Sequence, residues 1–295
     1  MSSIISKILD HVIIELCNSK LISSNLQFGF KNNCSTSQCT FAVNEIVQYY
    51  QNNGTDVYIT LLDASKAFDR VNFNKLFDLL MSRNICPSIC KLLVYMYINQ
   101  KCYVKWGNDW SSPFTVSNGV KQGGVLSPIL FNIYIDILLG RLRKSEIGCF
   151  IGNKFAGALG YADDIILLSP TLSGMMNLLK LCESFTKEYD IKFNTSKSQM
   201  LIANGDTTVR PIMFNDKEIP IVQSTKHLGH TIGKSYDKIQ VDNDAIEDLY
   251  MRTNIILNKF RKCTIDVKYK LFEKCCMSIY GSMLWNFEDN YYKLN

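Results

Sequence analysis

Apolar residues along the chain recur in two rhythms. Over residues 4–22 and again over 38–51 they return every three to four positions, which predicts helices. In the second of these the expected apolar set is Phe41, Ile46 and Tyr49 or Tyr50. The run "VYITLL" at 57–62 is continuous and rich in β-branched residues, the pattern of a buried strand, and it ends at Asp63. Asn72 then caps a helix whose apolar set is Phe73, Leu76, Phe77, Leu80 and Met81. "KCYVKWGNDWSSPFTVSNG" reads as a hairpin around Gly107-Asn108, and "VKQGG" as a glycine-bearing loop. Ser127 as cap and Pro128 behind it predict a helix that runs to about Leu142.

The stretch "LGYADDIILLS" at 159–169 predicts a hairpin with Asp163 and Asp164 at its turn and apolar residues on both flanks. Ser173 is expected to cap a helix with Met175, Leu179, Cys182, Phe185 and Tyr189 on one face. "IKFN", "QMLIA" and "HLGHTI" read as short strands, and the tail from about Ile246 as mostly helical. Hairpins and helices mix without βαβ alternation, which predicts an α+β fold: an antiparallel sheet covered by helices.

At 295 residues, 47% hydrophobic and 20% charged, the chain has material for a large core. No apolar run approaches the length of a membrane span, and the amphipathic N-terminus lacks the basic start and cleavage site of a signal peptide. Eleven scattered cysteines without a C-x-x-C suit reduced thiols in an intracellular, non-secreted protein, nucleus and cytoplasm being undecided. His227 and His230 read as two polar residues flanking a turn rather than zinc ligands. Between Met251 and Lys274 there are seven basic and two acidic residues, an excess equal to the whole chain's formal charge of +5. That concentration suggests a polyanionic partner.

Two carboxylates in buried sequence are costly unless something positive meets them. Asp63 ends one buried strand, and Asp163 follows 100 residues later. If the two strands are neighbours, three carboxylates converge at one sheet edge and call for divalent cations. Oxygen ligands without His or Cys point to Mg²⁺ or Mn²⁺. Two such ions about 4 Å apart serve phosphoryl transfer, one activating the attacking hydroxyl and the other steadying the leaving oxygen.

Six motifs in order resemble the reverse transcriptases of non-LTR (LINE-type) retrotransposons. They are "QFGFKNNCSTSQCT" (27–40), "LLDASKAFDRV" (61–71), "NGVKQGGVLSPILFNIYID" (118–136), "YADD" (161–164), "FNTSKS" (193–198) and "KHLGHTI" (226–232). "LFEKCCMSIYGSMLW" (271–285) resembles the thumb of the same elements. The resemblance implies a right-hand polymerase with an antiparallel palm sheet, fingers and palm over 1–232 and a helical thumb over 233–295. It implies an RNA-directed DNA polymerase, a nucleotidyltransferase using two Mg²⁺, with an RNA template, a DNA primer and dNTPs as partners.

By the same resemblance, Asp63, Asp163 and Asp164 are the catalytic carboxylates, and the metals are held by these three and the Ala64 carbonyl. Asp63 and Asp163 are the main ligands expected, because adjacent strand residues point to opposite faces and set Asp164 apart. Lys31, Phe68, Gln122, Gly123 and Lys197 are expected at the nucleotide, with Lys197 assisting pyrophosphate departure. Leu228 and Gly229 match the primer grip, and Arg252, Lys259, Arg261 and Lys262 are expected on the nucleic-acid backbone.

Lys31 and Lys121 stand where the family commonly has arginine, and His227 where it has an aromatic. Lysine keeps the charge but loses the bidentate fork. By the family's standard the chain also begins and ends abruptly, which makes a catalytically weak or inactive nucleic-acid-binding remnant the rival expectation. An RNA-directed RNA polymerase is a second rival, which the aromatic at Phe68 opposes.

Overall fold

The computed structural model describes residues 3–203, 212–233 and 238–276. At its centre is a four-stranded antiparallel sheet in the order Gln199–Ala203, Val57–Leu62, Asp164–Ser169, Ala158–Tyr161. Ile165 to Ser169 are all buried, as befits a strand covered on both faces. Helices Thr36–Asn52, Ser127–Lys144 and Leu172–Tyr189 pack against the sheet. The largest fully buried side chains include Tyr134 and Phe131 on the second helix and Phe185 on the third.

The register decides what meets at the sheet's end. Leu62 pairs with Ile165 on one side, and Leu61 with Gln199 on the other. Continued past Leu62, the ladder with Asp164–Ser169 sets Asp63 opposite Asp164, whereas on the other side the register breaks, the Asp63 carbonyl taking the Asn194 amide and Ala64 bridging Phe193. Residues directly opposite in antiparallel strands share a face, so Asp63 and Asp164 share one, and Lys197 joins them in a row from the adjoining turn through its ion pair with Asp63.

Several boundaries depart from the sequence pattern. The 36–52 helix buries Cys39, Val43, Ile46 and Val47 and packs a half-buried Tyr50 against the core, while Phe41 and Tyr49 are exposed. Its core stripe is made of smaller residues than the aromatics that stand out in sequence. Met81 is likewise exposed, although Phe73, Leu76, Phe77 and Leu80 are buried. Thr171, not Ser173, caps the 172–189 helix, its hydroxyl accepting the Gly174 amide at 3.1 Å. "IKFN" is no strand and contributes only a bridge between Phe193 and Ala64. The N-terminal helix stops at Cys17 and continues as a 3₁₀ turn over Asn18–Lys20.

Ser127 is the first residue of its helix rather than the cap, and Leu126 before it offers no capping side chain. The cap comes from the N-terminal helix Ile4–Cys17, far away in sequence. Asp10, 4% exposed, accepts the Val125 amide at 3.0 Å and the Leu126 amide at 3.4 Å. A carboxylate there satisfies orphan amides and meets the positive end of the helix dipole. Helices Lys238–Lys259 and Ile265–Cys275 complete the described chain, so the tail turns helical earlier than Ile246. The part of the expected thumb motif from 277 onward lies outside the described residues.

Candidate active site

The row at the sheet's end opens into a cleft of about 360 Å³ lined by Asp63, Asp164, Lys197, Thr225, Lys226 and Leu228, among others. Asp63 is carried by the end of its strand. The following segment is tied down by the Ser65 amide to the Lys192 carbonyl at 2.8 Å. The Asn194 amide donates to the Asp63 carbonyl at 2.7 Å, and the Asn194 side chain accepts the Ser196 amide at 3.1 Å. This Asx turn folds "FNTSKS" over the strand end. The Lys197 ammonium thereby comes within 3.9 Å of the Asp63 carboxylate.

Asp163 and Asp164 sit on the hairpin between strands Ala158–Tyr161 and Asp164–Ser169, where Tyr161 pairs with Asp164. Burial, then the charges of Asp163 and Asp63, push the Asp164 carboxyl up to about 6. The Asp163 carboxyl is also raised, by burial and then by Asp63, against the lowering effect of a backbone hydrogen bond. Desolvation and mutual repulsion both disfavour the charged form. Asp164 shares the cleft with Asp63, whereas Asp163 occupies the turn and is coupled to both by charge.

Among the described residues, no three His, Cys, Asp or Glu side chains are gathered so as to cage a metal ion by themselves. That still suits Mg²⁺, which binds through one or two carboxylates plus substrate phosphates rather than an all-protein cage. Two carboxylates on one cleft, Asp63 and Asp164, with Asp163 on the adjoining turn, fit a hard divalent cation. Ala64, buried beside Asp63, stands next to them in the chain.

The other expected residues form a separate ledge. Phe68, half-buried, stacks on Phe131 with ring centroids 4.4 Å apart and meets Phe30 edge-on at 6.0 Å. The Val120 amide donates to the Phe68 carbonyl and the Gly119 amide to the Val71 carbonyl, both at 2.8 Å. Gly119, at φ 91°, has no room for a side chain: a Cβ would lie 2.8 Å from the Asp69 Cα. The loop therefore docks on 68–71, and the exposed Gln122 amide reaches the Asp69 carboxylate at 3.0 Å. Gly123 beside it is exposed at φ 80°.

The Lys31 ammonium donates to the Ser24 carbonyl at 2.9 Å and the Ser23 carbonyl at 3.4 Å. Leu228 and Gly229 are the two turn residues of a hairpin, at φ 50° and 84°. Leu228 joins the aspartate cleft. His227 and His230 flank that turn, as the sequence pattern suggests, pair across the hairpin and are both buried. Burial, then His230, lowers His227 to about 4, so it is neutral near pH 7. Arg252 and Lys259 are exposed on the Lys238–Lys259 helix, and Arg261 and Lys262 in the turn that follows it. Among the described residues no helix is long and apolar enough to cross a membrane.

A helix-backed antiparallel sheet with carboxylates at a strand end and its neighbouring hairpin defines a right-hand polymerase palm. Residues 1–232 match the family described as reverse transcriptase (RNA-dependent DNA polymerase). The chain belongs to the reverse transcriptase family, on its non-LTR retrotransposon side. It is 31% identical over 196 residues to the Pol polyprotein of the type-2 retrotransposable element R2DM of Drosophila melanogaster, covering 66% of this chain and 18% of that protein. It is 31% identical over 207 residues to the R2 Pol polyprotein of Nasonia vitripennis, covering 65% and 20%. The chain thus spans about a fifth of the length of these curated relatives. Telomerase from Candida tropicalis, solved with a telomeric RNA fragment, superposes with a TM-score of 0.55 at 13% identity, covering 98% of this chain and 47% of that one. That likeness is one of fold.

Two residues that shape the site escape a reading of the sequence. Asp10 shows there only as an interruption of an apolar helix. Gln27 stands inside a motif without a role of its own. For Gln27, a polar residue between Leu26 and Phe28 is the available signal, since such residues are buried only with partners.

Proposed function

We propose that this chain is the polymerase core of an RNA-directed DNA polymerase, extending a DNA primer on an RNA template. The observation that carries the proposal is the row of Lys197, Asp63 and Asp164 beside Asp163, with two carboxyls raised by burial and mutual repulsion. A new bond forms between the primer 3′-oxygen and the α-phosphorus of a dNTP. The bond from that phosphorus to the bridging oxygen breaks, the hydroxyl proton is lost, and pyrophosphate leaves.

Asp63, Asp163, Asp164 and the Ala64 carbonyl would hold two Mg²⁺, or Mn²⁺. When bound, such ions activate the hydroxyl and stabilise charge on the phosphates. Lys197, beside Asp63, would meet the departing pyrophosphate and return a proton to it. The ledge of Phe68, Gln122 and Gly123 would receive the sugar and base of the nucleotide, with Lys31 behind it. The turn of Leu228 and Gly229, at the rim of the same cleft, would hold the primer end. Residues 1–232 are assigned to fingers and palm and 233–295 to the thumb, whose exposed Arg252, Lys259, Arg261 and Lys262 would follow the duplex backbone.

The test is primer extension on a poly(rA) template with an oligo(dT) primer, dTTP and Mg²⁺, beside Asp163→Asn. Extension by the wild type that the variant lacks is the expected result. Equal extension by both would overturn the assignment. A wild type that binds primer-template but never extends it would favour the binding remnant.

A further inference from the structure

Gln27 is 1% exposed, among the most completely buried polar side chains of the molecule. Its segment runs alongside Ala158–Tyr161, the edge strand of the central sheet. The Phe28 amide donates to the Gly160 carbonyl and the Gly160 amide to the Leu26 carbonyl, both at 2.8 Å. This covers an edge that would otherwise be left unpaired. The side chain then reaches past the strand to the turn. Its Oε1 accepts the Ala162 amide at 2.8 Å and the Gly29 amide at 2.9 Å, while its Nε2 donates to the Ala162 carbonyl at 3.1 Å. One side chain thus takes both backbone groups of one residue.

That residue is the one before Asp163. Ala162 has φ 58°, a left-handed conformation uncommon for a residue with a Cβ. Such a conformation persists only where its surroundings impose it. The surroundings are close-fitting: a Cβ on Gly29 would lie 2.3 Å from the Ala162 nitrogen. Gly29 is itself held, its carbonyl accepting the Asn132 side-chain amide at 2.6 Å, and Asn132 is 3% exposed on the 127–144 helix. A chain of contacts therefore runs from the long helix through Gly29 and Gln27 to the Asp163-Asp164 turn.

We propose that Gln27 is a positioning residue, holding Ala162 in its strained conformation so that Asp163 and Asp164 are presented to the cleft in one fixed geometry. The kinetic part of its test rests on the polymerase reading; the exchange part does not. Gln27→Met keeps the length and bulk of the side chain and removes all three hydrogen bonds.

In Gln27→Met, hydrogen exchange at residues 161–163 should be about tenfold faster, an opening confined to the turn. Strand Val57–Leu62 should stay as protected as in the wild type, and melting should remain cooperative. In primer extension kcat should fall about 100-fold, the scale of a small misplacement of reacting groups, with KM for the dNTP unchanged. Gly29→Ala pushes on the same turn from the other side with Gln27 intact. It should lower kcat in the same way, and the double variant should lose less than the two combined, since both act on one geometry.

Unchanged exchange at the turn, unchanged kcat, or a fall in kcat that only tracks loss of protection in the central strand would each overturn the proposal. A wild type with no extension would sink the polymerase reading alone, and the exchange comparison would still decide whether Gln27 holds the turn.

Discussion

The Lys197 ammonium lies 3.9 Å from the Asp63 carboxylate, and the neighbouring strand's register sets Asp63 opposite Asp164. The Lys197 side chain is 67% exposed and that of Asp63 37%, so the pair is worth less than about 1 kcal/mol of stability. A lysine at this position therefore matters more for what enters the cleft than for the fold. Lys197→Ala should leave the melting temperature within a degree or two, the scale of a surface substitution, about 0.5 kcal/mol. Its extension rate should drop about 10²- to 10⁴-fold, the range of a lost general acid. Single-turnover rates that match the wild type would remove Lys197 from the chemistry and leave it a surface ion pair.

The Asp164 carboxyl, raised to about 6, makes a statement about stability as well as chemistry. A group whose folded pKa lies above its unfolded value adds stability below the unfolded value and loses it as pH rises through the folded one. For Asp164 that window runs from about 4 to about 6. Without metal, Asp164→Asn should melt higher than the wild type at pH 7, with the difference gone at pH 4. Adding Mn²⁺ at pH 7 should raise the wild-type melting point and leave the variant nearly unmoved. A variant that melts lower than the wild type at pH 7 would show that the carboxylate is not under electrostatic strain.

The long helices at 36–52, 73–82, 127–144 and 172–189 were legible because each runs far enough to show its period, and "VYITLL" and "DIILLS" read as buried strands on apolar content alone, whereas the helix Pro87–Ile98 and the short strands at 150–155 and 212–219 went unread. Motif spacing, through family resemblance, pointed to the carboxylates. The row of Lys197, Asp63 and Asp164 was not legible, because register follows from strand pairing across more than 100 residues. Caps set by tertiary contacts were hidden for the same reason. Nothing near Ser127 in sequence announces that Asp10 satisfies the amides before it. The aromatics Phe41 and Tyr49 misled, since their size suggested a core that smaller Val43 and Val47 in fact build.

Arg261 and Lys262 stand exposed at the break between the last two described helices, and Arg252 and Lys259 are exposed on the helix before it. If they neutralise phosphates, binding should depend on salt through the ions they displace. Arg261→Glu combined with Lys262→Glu should weaken binding of all primer-templates alike and reduce the salt slope by about 0.9 for each phosphate no longer neutralised. Fluorescence anisotropy across a salt series reads both quantities. A slope equal to the wild type's would mark this charge as a solvated helix face.

Phe68 carries the sharpest expectation. Its ring lies nearly parallel to Phe131, 17° off at 4.4 Å, and Phe30 stands edge-on to it at 89°. Two neighbours therefore hold the ring, and its backbone carbonyl anchors the glycine loop through the Val120 amide. A ring held this way can exclude by shape. If it packs where a ribose 2′-hydroxyl would project, forced overlap costs about 1–3 kcal/mol, or about 10- to 200-fold in selectivity. The same stacking makes Phe68 part of the core, so Phe68→Ala should also destabilise, by less than the roughly 3–5 kcal/mol of a fully buried phenylalanine. The two roles separate in the ratio of ribonucleotide to deoxynucleotide incorporation, measured well below the variant's melting temperature. Steric selection predicts that the ratio rises toward that 200-fold limit as the 2′-hydroxyl gains room. A ring that only packs predicts that both incorporations fall together with the ratio fixed, and that result would remove Phe68 as a basis for choosing deoxynucleotides.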